Sequence, residues 1–170
     1  MSSIKSLEQL INHFEDEPPS RRAKILGEVQ IPISDFMKYA SWKEDCYTRN
    51  CIARTEEFEF ILICWDLNAS TPIHGHDDKD CWMYQIEGEL KEKVLKETEH
   101  GFELMSENRL TVSTVSFMHD TMGYHTLNNS GDKRAMSLHI YAAPIDKCLV
   151  YSDNASKFEN VELSYDSDHS

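Results

Sequence analysis

The 170-residue chain lacks several features that would have named its class at once. No apolar run approaches the roughly 20 residues that span a bilayer, so a transmembrane helix is not expected. Basic residues are scarce: 17 Lys and Arg stand against 30 Asp and Glu, a formal net charge of −13. A field of that sign repels phosphate, which argues against nucleic acid and anionic membrane surfaces as partners. Five cysteines, at positions 46, 51, 64, 81 and 148, form an odd set with no CxxC pair. That pattern indicates free thiols rather than a disulfide framework or a closed structural zinc site. The N-terminal stretch has polar residues inside its apolar pattern and no small-residue cleavage site, so it does not read as a signal peptide. The expected location is the cytoplasm. No repeat or linker divides the sequence, and its length suits one domain over residues 1–170.

What is present changes character along the chain. Residues 1–42 read as helical. Ile4, Leu7, Leu10, Ile11 and Phe14 recur at helical spacing, with Ser2 or Ser3 as the expected cap, and Pro18-Pro19 ends that helix. Two further helical stretches follow Ser20 and Ser34, separated by Pro32. From 43 to 151 the pattern is β. Phe58 to Trp65 is apolar almost throughout, as for a strand buried on both faces. Strand-like segments follow at His74–His76, Cys81–Ile86, Leu90–Lys96, Gly101–Met105, Arg109–Phe117, His125–Asn128 and Ala135–Ala142, with turn signals between them. No helical stretch separates these segments, so the expectation is a mainly β, antiparallel sandwich or barrel with a short helical N-terminal region. Residues 152–170 form a polar, acidic extension whose end is expected to be mobile.

Pro72-Ile-His74-Gly-His76 carries the chemistry. Residues two apart on a strand share a face, so His74 and His76 can present two imidazoles to one ion. His125 lies on a later strand. Three neutral imidazoles suit Fe(II), Zn, Cu or Ni. The plainer alternative is a pair of solvated surface histidines.

His74-x-His76, Gly88 twelve residues on, and Gly123-x-His125-x-x-x-Asn129 together resemble the two-part cupin motif. Cys81 stands where that motif normally has glutamate. With Tyr47-Thr-Arg49-Asn50, Cys64-Trp65, Ser137-x-His139-x-Tyr141 and Pro144-Ile-Asp-Lys-Cys148 also in order, the chain most closely resembles the cysteine dioxygenase group of the thiol dioxygenases. The resemblance implies a cupin-type antiparallel β-barrel (jelly-roll) and a non-haem Fe(II) site, one ion per chain, on His74, His76 and His125. It implies L-cysteine and O2 as substrates, with cysteine sulfinic acid as product, in a monomer. Arg49 and Tyr47 would bind the substrate carboxylate. Tyr141, His139 and Cys81 would form the catalytic group, with His139 orienting the Tyr141 hydroxyl and a thioether linking Cys81 to Tyr141. Gly75 stands where mammalian members have aspartate, and a side chain there is expected to point away from the metal. Two alternatives remain. One is a dioxygenase of another small thiol such as 3-mercaptopropionate, whose enzymes typically lack arginine and cysteine at the positions of Arg49 and Cys81. The other is a non-catalytic metal-binding cupin.

Overall fold

A computed structural model describes residues 3–170. Three short helices open the chain: α1 (Leu7–Asp16), α2 (Arg22–Gly27) and α3 (Ile33–Met37). Ser6 caps α1 by accepting a hydrogen bond from the Gln9 N–H at 3.2 Å. The cap expected at Ser2 or Ser3 is thus displaced, and Ser2 lies outside the described residues. The cause is tertiary. Ile4 forms a β-bridge with Val29, which holds its backbone extended and delays the helix. Leu7, Leu10 and Phe14 form the buried face of α1. Phe14 meets Phe60 edge-on at 5.3 Å, and the Arg22 guanidinium lies over both Phe14 and Trp82. Each large apolar side chain buried in this way contributes about 1.5–3 kcal/mol.

Eleven strands follow. They are β1 (Tyr47–Arg54), β2 (Phe58–Trp65), β3 (Cys81–Glu87), β4 (Leu90–Thr98), β5 (Gly101–Leu110), β6 (Val115–Met118), β7 (Tyr124–Asn129), β8 (Ala135–Ala142), β9 (Lys147–Ser152), β10 (Lys157–Glu162) and β11 (Ser167–Asp168). Six of them form a sheet in the order β11-β1-β2-β8-β3-β6. A second sheet runs β5-β4-β7, and β9 with β10 makes a hairpin. The ladders do not join into a ring, but the sheets face one another as in a jelly-roll. Phe58 to Trp65 is buried at every position, as its composition predicts. Phe60, Leu62 and Cys64 face the helices. Ile61, Ile63 and Trp65 face Leu90, Leu110 and Leu127 of the second sheet. The alternation of the strand therefore builds two cores from one run.

Three expectations need correction. His74–His76 is no strand: His74 makes only isolated bridges, to His125 and Val150. The segment Arg109–Phe117 is broken by a turn at 111–114, where Ser113 adopts φ +67°. The C-terminal end, expected to be mobile, is paired: β11 lies parallel to β1, with Asn50 opposite Ser167 and Cys51 opposite Asp168. No helix among the described residues is long and apolar enough to cross a membrane.

Candidate metal centre

His74 and His76 leave an extended segment between β2 and β3, and His125 comes from β7. The segment is fastened to β7 by two reciprocal backbone hydrogen bonds between His74 and His125, both 3.1 Å. Gly123 permits that approach. Its φ is +110°, and a Cβ there would collide with the carbonyl oxygen of Leu95 on β4. The result gathers one ring nitrogen from each of the three histidines within 4.8 Å of one another. His76 and His125 are fully buried.

The hydrogen bonds assign the ring protons. Nδ1 of His74 lies 3.0 Å from the Pro72 carbonyl oxygen, and Nδ1 of His125 lies 2.9 Å from Oε1 of Glu92. Both partners accept, so both Nδ1 atoms carry the proton and both Nε2 atoms present lone pairs. Those two Nε2 atoms face each other at 3.1 Å. With no proton between them they repel, and a cation shared by both removes the repulsion. Burial, followed by the neighbouring His76, pulls the His74 pKa down to about 3. Burial first, then His74 and His76, pushes that of His125 well down too. Neutral imidazoles are what a divalent metal requires. The donor set fits a metal ion.

Two carboxylates that the motif does not announce support these rings. Glu92, buried on β4, accepts from His125, from Ser116 Oγ at 3.0 Å and from Asn108 Nδ2 at 3.3 Å. Such outer partners fix ring orientation and raise ligand basicity. A hint lay in Leu90-x-Glu92-x-Val94, which puts an acid on the apolar face of an alternating strand. Asp120 accepts from the N–H groups of His76 at 2.6 Å and Asp78 at 2.9 Å. Burial opposes its ionisation, but hydrogen bonds from His76 and Asp78 outweigh that and bring its pKa to about 2. Asp120 also explains Gly75. A Cβ at Gly75 would stand 3.1 Å from Oδ1 of Asp120, so an aspartate there would meet a like charge. Nothing in the sequence pattern signals that contact.

A cavity of about 170 Å³ opens beside the histidines. It has room for a molecule about the size of benzene or a small amino acid. Tyr47, Arg49, His139 and Tyr141 line it with His74 and His76. Arg49 is 9% exposed, and its Nε and Nη2 have no hydrogen-bond partner among the described residues. Tyr47 packs on Trp65 with ring centroids 5.2 Å apart. The Trp65 indole N–H donates to Ser137 Oγ at 2.9 Å, and the same hydroxyl is hydrogen-bonded to Nε2 of His139, also 2.9 Å away. Cys81 and Tyr141 oppose each other across the β3–β8 ladder, and both are buried. Burial, then the Cys81 sulfur, drives the Tyr141 pKa well above its usual value, so the phenol keeps its proton. The cavity thus joins two of the clustered histidines, a buried guanidinium with two unpaired nitrogens and a protonated phenol.

Residues 20–154 match the family model for cysteine dioxygenase type I. The chain belongs to this family. Cysteine dioxygenase type 1 of Danio rerio is 26% identical over 147 residues, covering 83% of this chain and 73% of that protein. The Rattus norvegicus enzyme of the same name is 27% identical over 139 residues, covering 79% and 70%. A solved Klebsiella pneumoniae protein with a double-stranded β-helix domain superposes with a TM-score of 0.53 at 13% identity, covering 75% of this chain and 94% of that one. That likeness concerns the fold alone. Cys148 lines the cavity as well.

Proposed function

We propose that this chain is a non-haem Fe(II) cysteine dioxygenase, converting L-cysteine and O2 into cysteine sulfinic acid. The observation that carries the reading is the Arg49 guanidinium, buried with its Nε and Nη2 unpaired among the described residues, in the cavity that His74 and His76 also line. Burying a charge without a partner is costly, and a substrate carboxylate supplies the missing one. His74, His76 and His125 would hold the iron, one per chain. Bound Fe(II) would supply the redox chemistry that adds both atoms of O2 to the substrate sulfur. Arg49 offers two parallel N–H groups to the carboxylate and fixes the amino acid in one orientation. Tyr47, on the same strand and two residues away, shares that face and borders the carboxylate site. The Trp65–Ser137–His139 chain sets the His139 ring, and Tyr141 keeps a phenolic proton to donate into the cavity. The test is direct: protein stripped of metal and reloaded with ferrous ion should consume one O2 per sulfinate formed from L-cysteine. Turnover in the zinc-loaded protein, or no oxygen uptake with iron, would refute the redox reading.

Cys81 and Tyr141 extend this reading. Side chains directly opposed across an antiparallel ladder have Cβ atoms about 4.5–5.5 Å apart. The Cys81 sulfur can therefore reach the ring carbon beside the phenol oxygen. Forming the C–S bond would remove the thiol hydrogen and one ring hydrogen, and O2 would take up those two electrons and two protons as H2O2. Linked chains should be lighter by two hydrogens in intact mass, and the linked fraction should rise during turnover. The link would lock one tyrosine rotamer, so Cys81→Ser should remain active with a lower kcat. If Cys81 stays fully alkylatable after many turnovers and the Tyr141 peptide is unmodified, the two side chains do not react.

A further inference from the structure

The strand that carries Tyr47 and Arg49 would be the edge of the six-stranded sheet if the C-terminal segment did not cover it. Edge strands leave a row of backbone donors and acceptors unpaired and are free to shift. Here the segment from Leu163 onward occupies that edge, and its contacts concentrate on one residue. Both backbone polar groups of Arg49 are taken by Asp166. The Arg49 N–H donates to Oδ2 of Asp166 at 2.8 Å, and the Asp166 N–H donates to the Arg49 carbonyl oxygen at 2.7 Å. The other oxygen of that carboxylate pairs with Lys43, just ahead of β1. On either side the segment is anchored again. Leu163 lines the cavity, and the Tyr165 hydroxyl donates to the fully buried Glu59. Beyond, Ser167 Oγ donates to Oδ1 of Asn50 at 2.8 Å, and the His169 N–H donates to the Cys51 carbonyl at 3.1 Å.

We infer that Asp166 is a positioning residue for Arg49: by pinning both polar groups of its peptide, the C-terminal strap sets where the guanidinium meets a substrate carboxylate. This rests on the carboxylate-binding reading of Arg49 given above. The Nε and Nη2 of Arg49 have no hydrogen-bond partner among the described residues, so its backbone and its packing do much to aim the side chain. A backbone donor bonded to a carboxylate is held about twice as firmly as one bonded to a neutral acceptor. Loss of that bond frees β1 to move at the one residue whose placement selects the substrate. A small misplacement there weakens carboxylate binding without touching the histidine cluster.

The experiment compares full-length native protein with Asp166→Ala, Asp166→Asn and Asp168→Ala. It reads steady-state kinetics on L-cysteine after ferrous loading, and amide hydrogen exchange of the 47–51 backbone without any metal. Asp166→Ala should raise KM for L-cysteine about fivefold, with kcat within about twofold, and should speed exchange of the Arg49 amide by a similar factor. Asp166→Asn keeps an acceptor but loses the charge, so both effects should shrink to about twofold. Asp168→Ala, which alters the strap without touching the Arg49 peptide, should match the native protein in both. A general loss of tail structure would instead move Asp168→Ala alongside Asp166→Ala. Native KM and native exchange in Asp166→Ala overturn the inference. Should that variant fail to fold, native exchange at the Arg49 amide in Asp166→Asn overturns it as well. If the native protein turns over thiols with and without a carboxylate equally well, the reading of Arg49 falls, while the exchange result still decides whether Asp166 pins its peptide.

Discussion

Replacing His125 by alanine is expected to remove bound iron and thiol oxidation together. Three neutral imidazoles form the whole donor set of the cluster, so each contributes a large share of the affinity. His125 is the one with most invested around it. Its ring is buried, its Nε2 faces that of His74 at 3.1 Å, and its Nδ1 proton binds Glu92 at 2.9 Å. Deleting the ring also strands the Glu92 carboxylate, which keeps only Ser116 and Asn108 as donors. The native protein itself should carry substoichiometric iron after purification, because a set without carboxylates holds Fe(II) less firmly than one with them. Glu92→Gln should give an intermediate result. It keeps an acceptor for His125 but sets an amide NH2 against that of Asn108, and loss of such an outer partner costs about 10–100-fold in metal affinity or activity. Iron content by mass spectrometry, oxygen uptake and a circular dichroism check of folding decide the series. His125→Ala with native iron and native turnover would overturn the ligand assignment.

The parts of this site that a reader of the sequence can find are those written in side-chain pattern. Phe58 to Trp65 announces a strand buried on both faces because every position is apolar, and both cores use it. The histidine pair stands out by spacing, although the segment that bears it has only two bridges and no ladder. Glu92 is harder to find. It reaches His125 only because β4 and β7 pair with Val94 opposite His125, which brings Glu92 to the diagonal position two residues away. That register is a tertiary fact. The C-terminal strap is harder still. Tyr165-Asp-Ser-Asp-His reads as solvent-exposed by composition, yet it docks through backbone groups and polar partners on β1, which carry no hydrophobic signal. Ser6 rather than Ser2 or Ser3 caps α1 for a related reason: the Ile4–Val29 bridge holds the preceding residues extended, and local propensity knows nothing of Val29.

Arg49→Ala should lose on the order of 10²-fold or more in kcat/KM for L-cysteine. Truncating one member of a desolvated charge pair costs about 2–5 kcal/mol, and a tenfold change in rate corresponds to about 1.4 kcal/mol. The geometry favours the upper part of that range. The guanidinium is buried, two of its nitrogens have no partner among the described residues, and its peptide is held by Asp166. No alternative cation is at hand to take over, because Lys43 is spent on Asp166 and Arg54 on Glu59 and Asp146. The loss should therefore be specific to the carboxylate. Cysteamine, which has the thiol and the amine but no carboxylate, should be a poor substrate of the native protein and should change little in the variant. 3-Mercaptopropionate, which has the carboxylate, should lose along with cysteine. Parallel assays of the three thiols on iron-loaded native and variant protein separate the outcomes. Equal losses for all three would mean that Arg49 supports the fold rather than the substrate, and a native preference for cysteamine would remove the carboxylate anchor altogether.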